Sequence, residues 1–183
     1  MRFAFYLMAL VIAGVLSAAE PSYSCSMRLG NPKFEGQVLE PGQKNSRSRN
    51  ARRRVETLHR KMICPVAVSF RSKEIPTGIK LQYVFLGQRD GSTVILDART
   101  LPVTLDERGN FTTELISPVA TLSKTKFRNR RSSWSETTGS RVSGCIVQLY
   151  VGEKMVRYGA TKPAWANVAK KAPMPDGELL KLR

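Results

Sequence analysis

The chain has 183 residues, with 30 Lys and Arg against 14 Asp and Glu, a formal net charge of +16, one His and three Cys. One domain is the simplest division of that length. A single His cannot build a His-rich metal cluster, and three Cys fall short of a four-Cys zinc site or a disulfide-dense mini-protein, so no cofactor is called for.

Residues 1–19, MRFAFYLMALVIAGVLSAA, place one cation, Arg2, ahead of the apolar run from Phe3 to Leu16, and the small residues Ser17-Ala18-Ala19 follow. That is the pattern of a cleavable signal peptide, with the mature chain beginning at Glu20. The run is shorter than the about 20 apolar residues that cross a bilayer. Cys25 follows the polar Pro21-Ser22-Tyr23-Ser24, which lacks the apolar residue of a lipidation box. The expectation is export to the periplasm or the extracellular space, with no transmembrane segment in the mature chain.

Residues 20–61 read as one N-terminal strand, from the alternating Cys25, Met27 and Leu29, followed by a basic loop. Within it, 44–61 (KNSRSRNARRRVETLHRK) has no sustained apolar period. A core β region is expected over 62–161. Met62, Cys64, Val66, Val68 and Phe70 alternate, with Pro65 arguing for an edge or a bulge. Ile79, Leu81, Tyr83 and Phe85 follow on one parity. Arg89-Asp90-Gly91 predicts a hairpin turn, because Asp and Gly tolerate positive φ. Short strands are expected at Thr93 to Leu96, at Leu101 to Leu105, and at Phe111 to Leu115 after the turn Glu107-Arg108-Gly109-Asn110. A second basic loop, 124–141 (KTKFRNRRSSWSETTGSR), interrupts the pattern. Cys145, Val147, Leu149 and Val151 then alternate, and Gly152-Glu153-Lys154 turns into Met155 to Tyr158. In 162–183 a short helix is predicted over Lys162 to Lys171, with Pro163 in the first turn, Trp165, Val168 and Ala169 on one face and lysines at the C-terminal end. A tail follows.

Seven to eight short strands separated by turn signals predict an all-β protein, a sandwich or barrel. From Met62–Phe70 to Cys145–Tyr158 the strands resemble secreted immunoglobulin-like β-sandwich proteins. The chain departs from them in having no Trp on the Leu81/Tyr83 strand and Ser143 in place of the tyrosine-corner Tyr. The resemblance implies an inter-sheet disulfide between Cys64 and Cys145. The residues themselves leave open two buried thiols, or a bridge that uses Cys25 with Cys64 or with a second chain. The fold implies no activity by itself.

Two segments resemble catalytic motifs. Ser143-Gly144-Cys145-Ile146 is similar to the S-x-G-C-I-R nucleophile motif of L,D-transpeptidases, but the Ser stands one place late and Val147 replaces the Arg. A Cys145 nucleophile would need a base, and the one His, His59, lies in the first basic tract. Ser123-Lys124-Thr125-Lys126 fits S-x-x-K of penicillin-recognising enzymes without its companion motifs. The expectation is a protein that is not an enzyme, with an envelope enzyme using Cys145 as the alternative.

The charge is concentrated. Tracts 44–61 and 124–141 carry net +7 and +5, twelve of the fifteen charges left once the leader with Arg2 is set aside. Arg clusters bind phosphate and carboxylate through bidentate contacts and raise the local potential. The candidate anion-binding residues are Arg47, Arg49, Arg52, Arg53, Arg54, Lys124, Lys126, Arg128, Arg130 and Arg131. Trp134 joins them for stacking, with Phe127 nearby. The expected role is an exported binding or structural module of a cell envelope or secretome, contacting an anionic polymer or a protein partner. Nucleic acid and peripheral contact with a membrane surface are alternatives, and solvated loops are the plainest one.

Overall fold

The computed structural model describes residues 23–39, 43–45, 52–72, 75–128 and 132–171. In chain order they form β1 (Ser24–Leu29), β2 (Lys33–Leu39), β3 (Gln43–Asn45), β4 (Arg52–Arg71), β5 (Ile79–Arg89), β6 (Ser92–Pro102), β7 (Asn110–Ile116), β8 (Ala120–Arg128), β9 (Ser133–Gly139), β10 (Arg141–Val151) and β11 (Lys154–Ala160). A 3₁₀ turn (Pro163–Trp165) leads into the helix α1 (Ala166–Lys171). The protein is all-β with antiparallel pairing and a short C-terminal helix. The described residues make eleven strands, where the apolar alternation predicted seven or eight.

β4 organises the larger sheet. At about 3.4 Å per residue its 20 residues reach roughly 65 Å. One edge takes β1, β2 and β3 in succession, and the other takes β7 and then β8, with β9 outside β8. The smaller sheet runs β11-β10-β5-β6. The two sheets share one core. Met62, Cys64, Val66, Val68 and Phe70 of β4 pack against Leu81 and Phe85 of β5 and Cys145, Val147 and Leu149 of β10. Each fully buried apolar side chain of this kind contributes about 1.5–3 kcal/mol. Pro65, which has no N–H to donate, sits opposite the gap between β1 and β2, where its carbonyl accepts from Gly30 N at 2.8 Å.

The outer face of the smaller sheet carries a second cluster. Val84, Leu86 and Ile146 are covered by Trp165 and Ala169 from the C-terminal turn and helix. A Cβ at Gly144 would overlap the Trp165 ring and the Thr161 hydroxyl. β10 bulges between Val142 and Gly144, and Thr161 seals that irregularity, its hydroxyl accepting from Cys145 N and its own N–H donating to Cys145 O, both at 2.9 Å. The Ser-Gly-Cys run therefore seats a tryptophan. Asp90 (φ 51°) and Gly91 (φ 80°) both occupy the left-handed region, the turn between β5 and β6 that the sequence predicts.

Two expectations are corrected. The tracts 44–61 and 124–141 are not loops where they are described. Residues 52–61 are the first half of β4, and 124–139 supply most of β8 and β9. β4 also runs unbroken through 61 and 62, so the segment boundary expected there falls inside a strand. The reason is pairing. Residues 52–60 are paired with β8 along their length, and 52–54 and 57–60 also with β3 and β2 opposite, and backbone ladders satisfy peptide groups whatever the side chains are. The tail beyond 171 lies outside the described residues.

A candidate anion-binding arm

The part of the larger sheet built from β2, β3, the first half of β4, β8 and β9 differs from the rest. Among described side chains, none of Val55 to Arg60, none of Thr121 to Arg128 and none of β9 is buried. Both of its faces meet solvent. Strand alternation divides its side chains between them. On the face continuous with Met62 lie Arg60, Leu58 and Glu56, then the register positions of Arg54 and Arg52. β8 adds Leu122, Lys124, Lys126 and Arg128, and β9 adds Thr137, Ser135 and Ser133. The opposite face carries His59, Thr57 and Val55, with Thr121, Ser123, Thr125 and Phe127, then Glu136 and Trp134.

The sequence candidates are therefore sorted by parity. Lys124, Lys126 and Arg128 share the first face and line an open cavity of about 380 Å³ with Ser133 and Ser135, to which the intervening Phe127 and Trp134 also contribute. Arg52 pairs in register with Arg128 and Arg54 with Lys126, so the two basic tracts, distant in sequence, meet rung by rung. Arg53 stands opposite Phe127 on the other parity. Arg47, Arg49, Arg130 and Arg131 lie outside the described residues. Lys126 donates to Glu56 at 3.2 Å, and the Arg60 guanidinium lies 4.1 Å over the Phe34 ring.

Trp134 lies on the alternate strand parity from those cations, although it and Phe127 also border their cavity. Its ring stacks on Phe127 at 4.1 Å and 15° across β8 and β9 and is 54% exposed. It anchors one strand to its neighbour and does not reach the core. The row of Ser133, Ser135 and Thr137 facing the lysines was missed by reading for apolar period alone. A period of two in charge at Lys124, Lys126 and Arg128 was available to find it.

The catalytic resemblances do not assemble. Cys145 is fully buried between the sheets. Burial, with the hydrogen bond to Cys64 next, holds its thiol well above the ordinary range, while that hydrogen bond lowers Cys64. His59 is on the other side of β4's sheet, its Nδ1 3.0 Å from Thr121 Oγ1. Ser123 faces Thr57, at 3.3 Å between hydroxyls, and Lys126 faces Glu56. Three residues apart on a strand, they point to opposite faces, whereas on a helix they would share one.

The cysteines resolve more clearly. Cys64 and Cys145 are neighbouring buried thiols of the core, donating to the carbonyls of Pro65 at 4.0 Å and Ile146 at 3.5 Å. Cys25 pairs in register with Phe70, six residues along β4 from Cys64, so about 20 Å separates them. That is beyond the roughly 7 Å Cα separation a disulfide spans, and a Cys25–Cys64 bridge is excluded.

Among the described residues no three His, Cys, Asp or Glu side chains group as metal ligands, and no helix is long and apolar enough to cross a membrane. Comparison with protein-family models, with curated proteins and with solved structures finds no match for this chain, so its function is argued from the arm itself.

Proposed function

We propose that this protein is an exported, non-enzymatic module of a cell envelope or secretome that holds an anionic polymer or partner on its basic arm. The observation that carries the reading is the convergence of the two tracts. Arg52 and Arg54 on β4 are register partners of Arg128 and Lys126 on β8, and the Lys126 and Arg128 side chains are exposed. Like charges placed directly opposite one another destabilise a strand pair, and an oxyanion laid between them reverses that sign. Export is supported by the leader pattern of residues 1–19. An oxidising compartment would also close Cys64 and Cys145 into an inter-sheet bridge, the two thiols passing their electrons and protons to a disulfide-exchange partner. The chain recovered from culture medium or periplasm would then alkylate at Cys25 alone, and alkylation at all three removes the bridge from the proposal.

The binding test uses the chain without its leader on a polyanion-coated surface at 50 and 200 mM NaCl. Retention that falls steeply with salt is expected, because each cation–oxyanion contact releases a condensed counterion. Absence of retention at the lower salt removes anion binding and leaves a charged but inert sheet.

A further inference from the structure

Resting on that reading, and narrowing its ligand, we infer that the arm binds a linear, base-free polymer of tetrahedral oxyanions, sulfate or phosphate esters, laid along β8 on the face of Lys124, Lys126 and Arg128. The argument begins with register. Lys124 pairs with Thr137, Lys126 with Ser135 and Arg128 with Ser133. Each rung sets a cation beside a hydroxyl, and all six side chains are exposed. The rungs recur every second residue, about 6.8 Å apart, so three of them cover about 14 Å. Such a row fits a ligand whose charges also recur along a line. Paired donors on two strands approach one group from different directions. The oxygens of a sulfate or phosphate ester point out of one plane and can meet both, whereas the two oxygens of a carboxylate are coplanar.

The same geometry argues against nucleic acid. Base-stacking readers combine a basic track with aromatic faces that the bases can reach. Here the aromatic pair stands on the alternate parity from the cation row, bordering the cavity, and its rings are stacked on each other at 4.1 Å instead of being splayed for bases. Duplex grooves fit poorly as well. The arm is four strands wide, β2 or β3, β4, β8 and β9, which is about 14 Å between the outer backbones. A B-form major groove of about 12 Å admits two strands.

The electrostatics of the row point the same way. Among the described side chains of this face Glu56 is the one acid, and it sits against Lys126. Lys124 and Arg128 form no ion pair among the described residues. The cavity at β8 and β9 is lined by Lys124, Lys126, Arg128, Ser133 and Ser135 together with the intervening Phe127 and Trp134, with no carboxylate to repel an anion.

The experiment measures binding of four probes of matched length to the leaderless chain: a sulfated glycan fragment, polyphosphate, an abasic phosphodiester oligomer and oligo-dT. The sulfated glycan or polyphosphate is expected to bind, and oligo-dT no more tightly than its abasic counterpart. The triple variant Lys124→Gln, Lys126→Gln, Arg128→Gln should bind at least about 10-fold more weakly, with the salt slope reduced by roughly 2 to 3. Ser133→Ala with Ser135→Ala, at exposed positions that leave folding intact, should weaken binding about threefold. Trp134→Ala should change it less than twofold. Preference for sulfate over phosphate, or the reverse, names the source of the oxyanion within the same inference. Oligo-dT binding that exceeds the abasic oligomer and falls with Trp134→Ala overturns the inference while keeping the anion-binding function. Equal binding by the triple variant overturns it too, by moving the site elsewhere. Failure of all four probes at 50 mM NaCl removes the function itself.

Discussion

β4 belongs to two regions built on one ladder. In its second half, Met62, Cys64, Val66, Val68 and Phe70 are buried beneath the smaller sheet. In its first half, residues 52–60 are paired with β8 and most of them also with β2 or β3 on the other edge, yet no described side chain from Val55 to Lys61 is buried. The difference teaches that backbone pairing extends a sheet, while what lies over its faces decides where stability resides. Net hydrogen-bond contributions are modest, whereas apolar burial is the dominant favourable term. The body should therefore hold most of the folding free energy and the arm should be held in place by it.

The strongest test of that contrast compares one truncation in each region. Phe85→Ala empties a site at 0% exposure and should cost about 3–5 kcal/mol. Leu58→Ala, on a half-buried arm position, should cost about 1 kcal/mol, half the transfer free energy of a buried side chain. Urea unfolding with an unchanged m-value measures both. Equal losses would mean that the arm has a core of its own.

A second test stays in the body, on its outer cluster. Gly144→Val places methyl groups where the Trp165 ring and Thr161 hydroxyl lie, an overpacking worth about 1–3 kcal/mol. Adding Trp165→Ala should recover part of that loss, since the clash then has no partner. Thermal melts of the two singles and the double measure the coupling. Additive losses would remove Trp165 as the reason for the glycine.

These regions differ in how plainly the sequence shows them. Alternation at Met62 to Phe70, Ile79 to Phe85 and Cys145 to Val151 marks strands because one face of each is buried and the other is not. The Asp90-Gly91 turn is explicit for a different reason, the positive φ that both residues adopt. Arm strands offer no such contrast. Residues 55–61 and β9 bury no side chain on either face, so selection for apolar period is absent and a strand reads like a charged loop. Parity was still written there. Lys124, Lys126 and Arg128 recur at every second position, and Phe127 falls between them, which places the aromatic ring opposite the cations. Partner strands are what sequence withholds. Nothing in 44–61 or 124–141 states that Arg52 meets Arg128, or that Thr137 faces Lys124, because register across so long a separation depends on the turns and the core together.

Within the arm, the Phe127–Trp134 stack is the largest single contribution expected. A double-mutant cycle with Phe127→Leu and Trp134→Ala should return a coupling of about 0.5–1.5 kcal/mol, well below the loss at Phe85. The rings join β8 to β9 on the alternate parity from the cations. Folding stability should fall in these variants while polyanion binding holds, provided the hairpin remains paired. A coupling near zero would reduce the contact to a coincidence of two exposed rings.

The smallest effect is the most informative about why the arm is basic. Glu56 and Lys126 form an ion pair at 3.2 Å with side chains 30% and 48% exposed. Solvent screens such pairs, so Glu56→Gln should cost no more than about 0.2–1 kcal/mol. Its effect on binding should have the opposite sign. Removing the acid releases Lys126 and raises the charge of the row, and polyanion affinity should rise about two- to fivefold, with a steeper salt slope. A variant that folds slightly less well and binds better is the behaviour of a surface whose charge serves a ligand. If Glu56→Gln leaves binding unchanged, Lys126 already engages the polymer through its pair or takes no part, and the row is reduced to Lys124, Arg128 and the partners they face on β4.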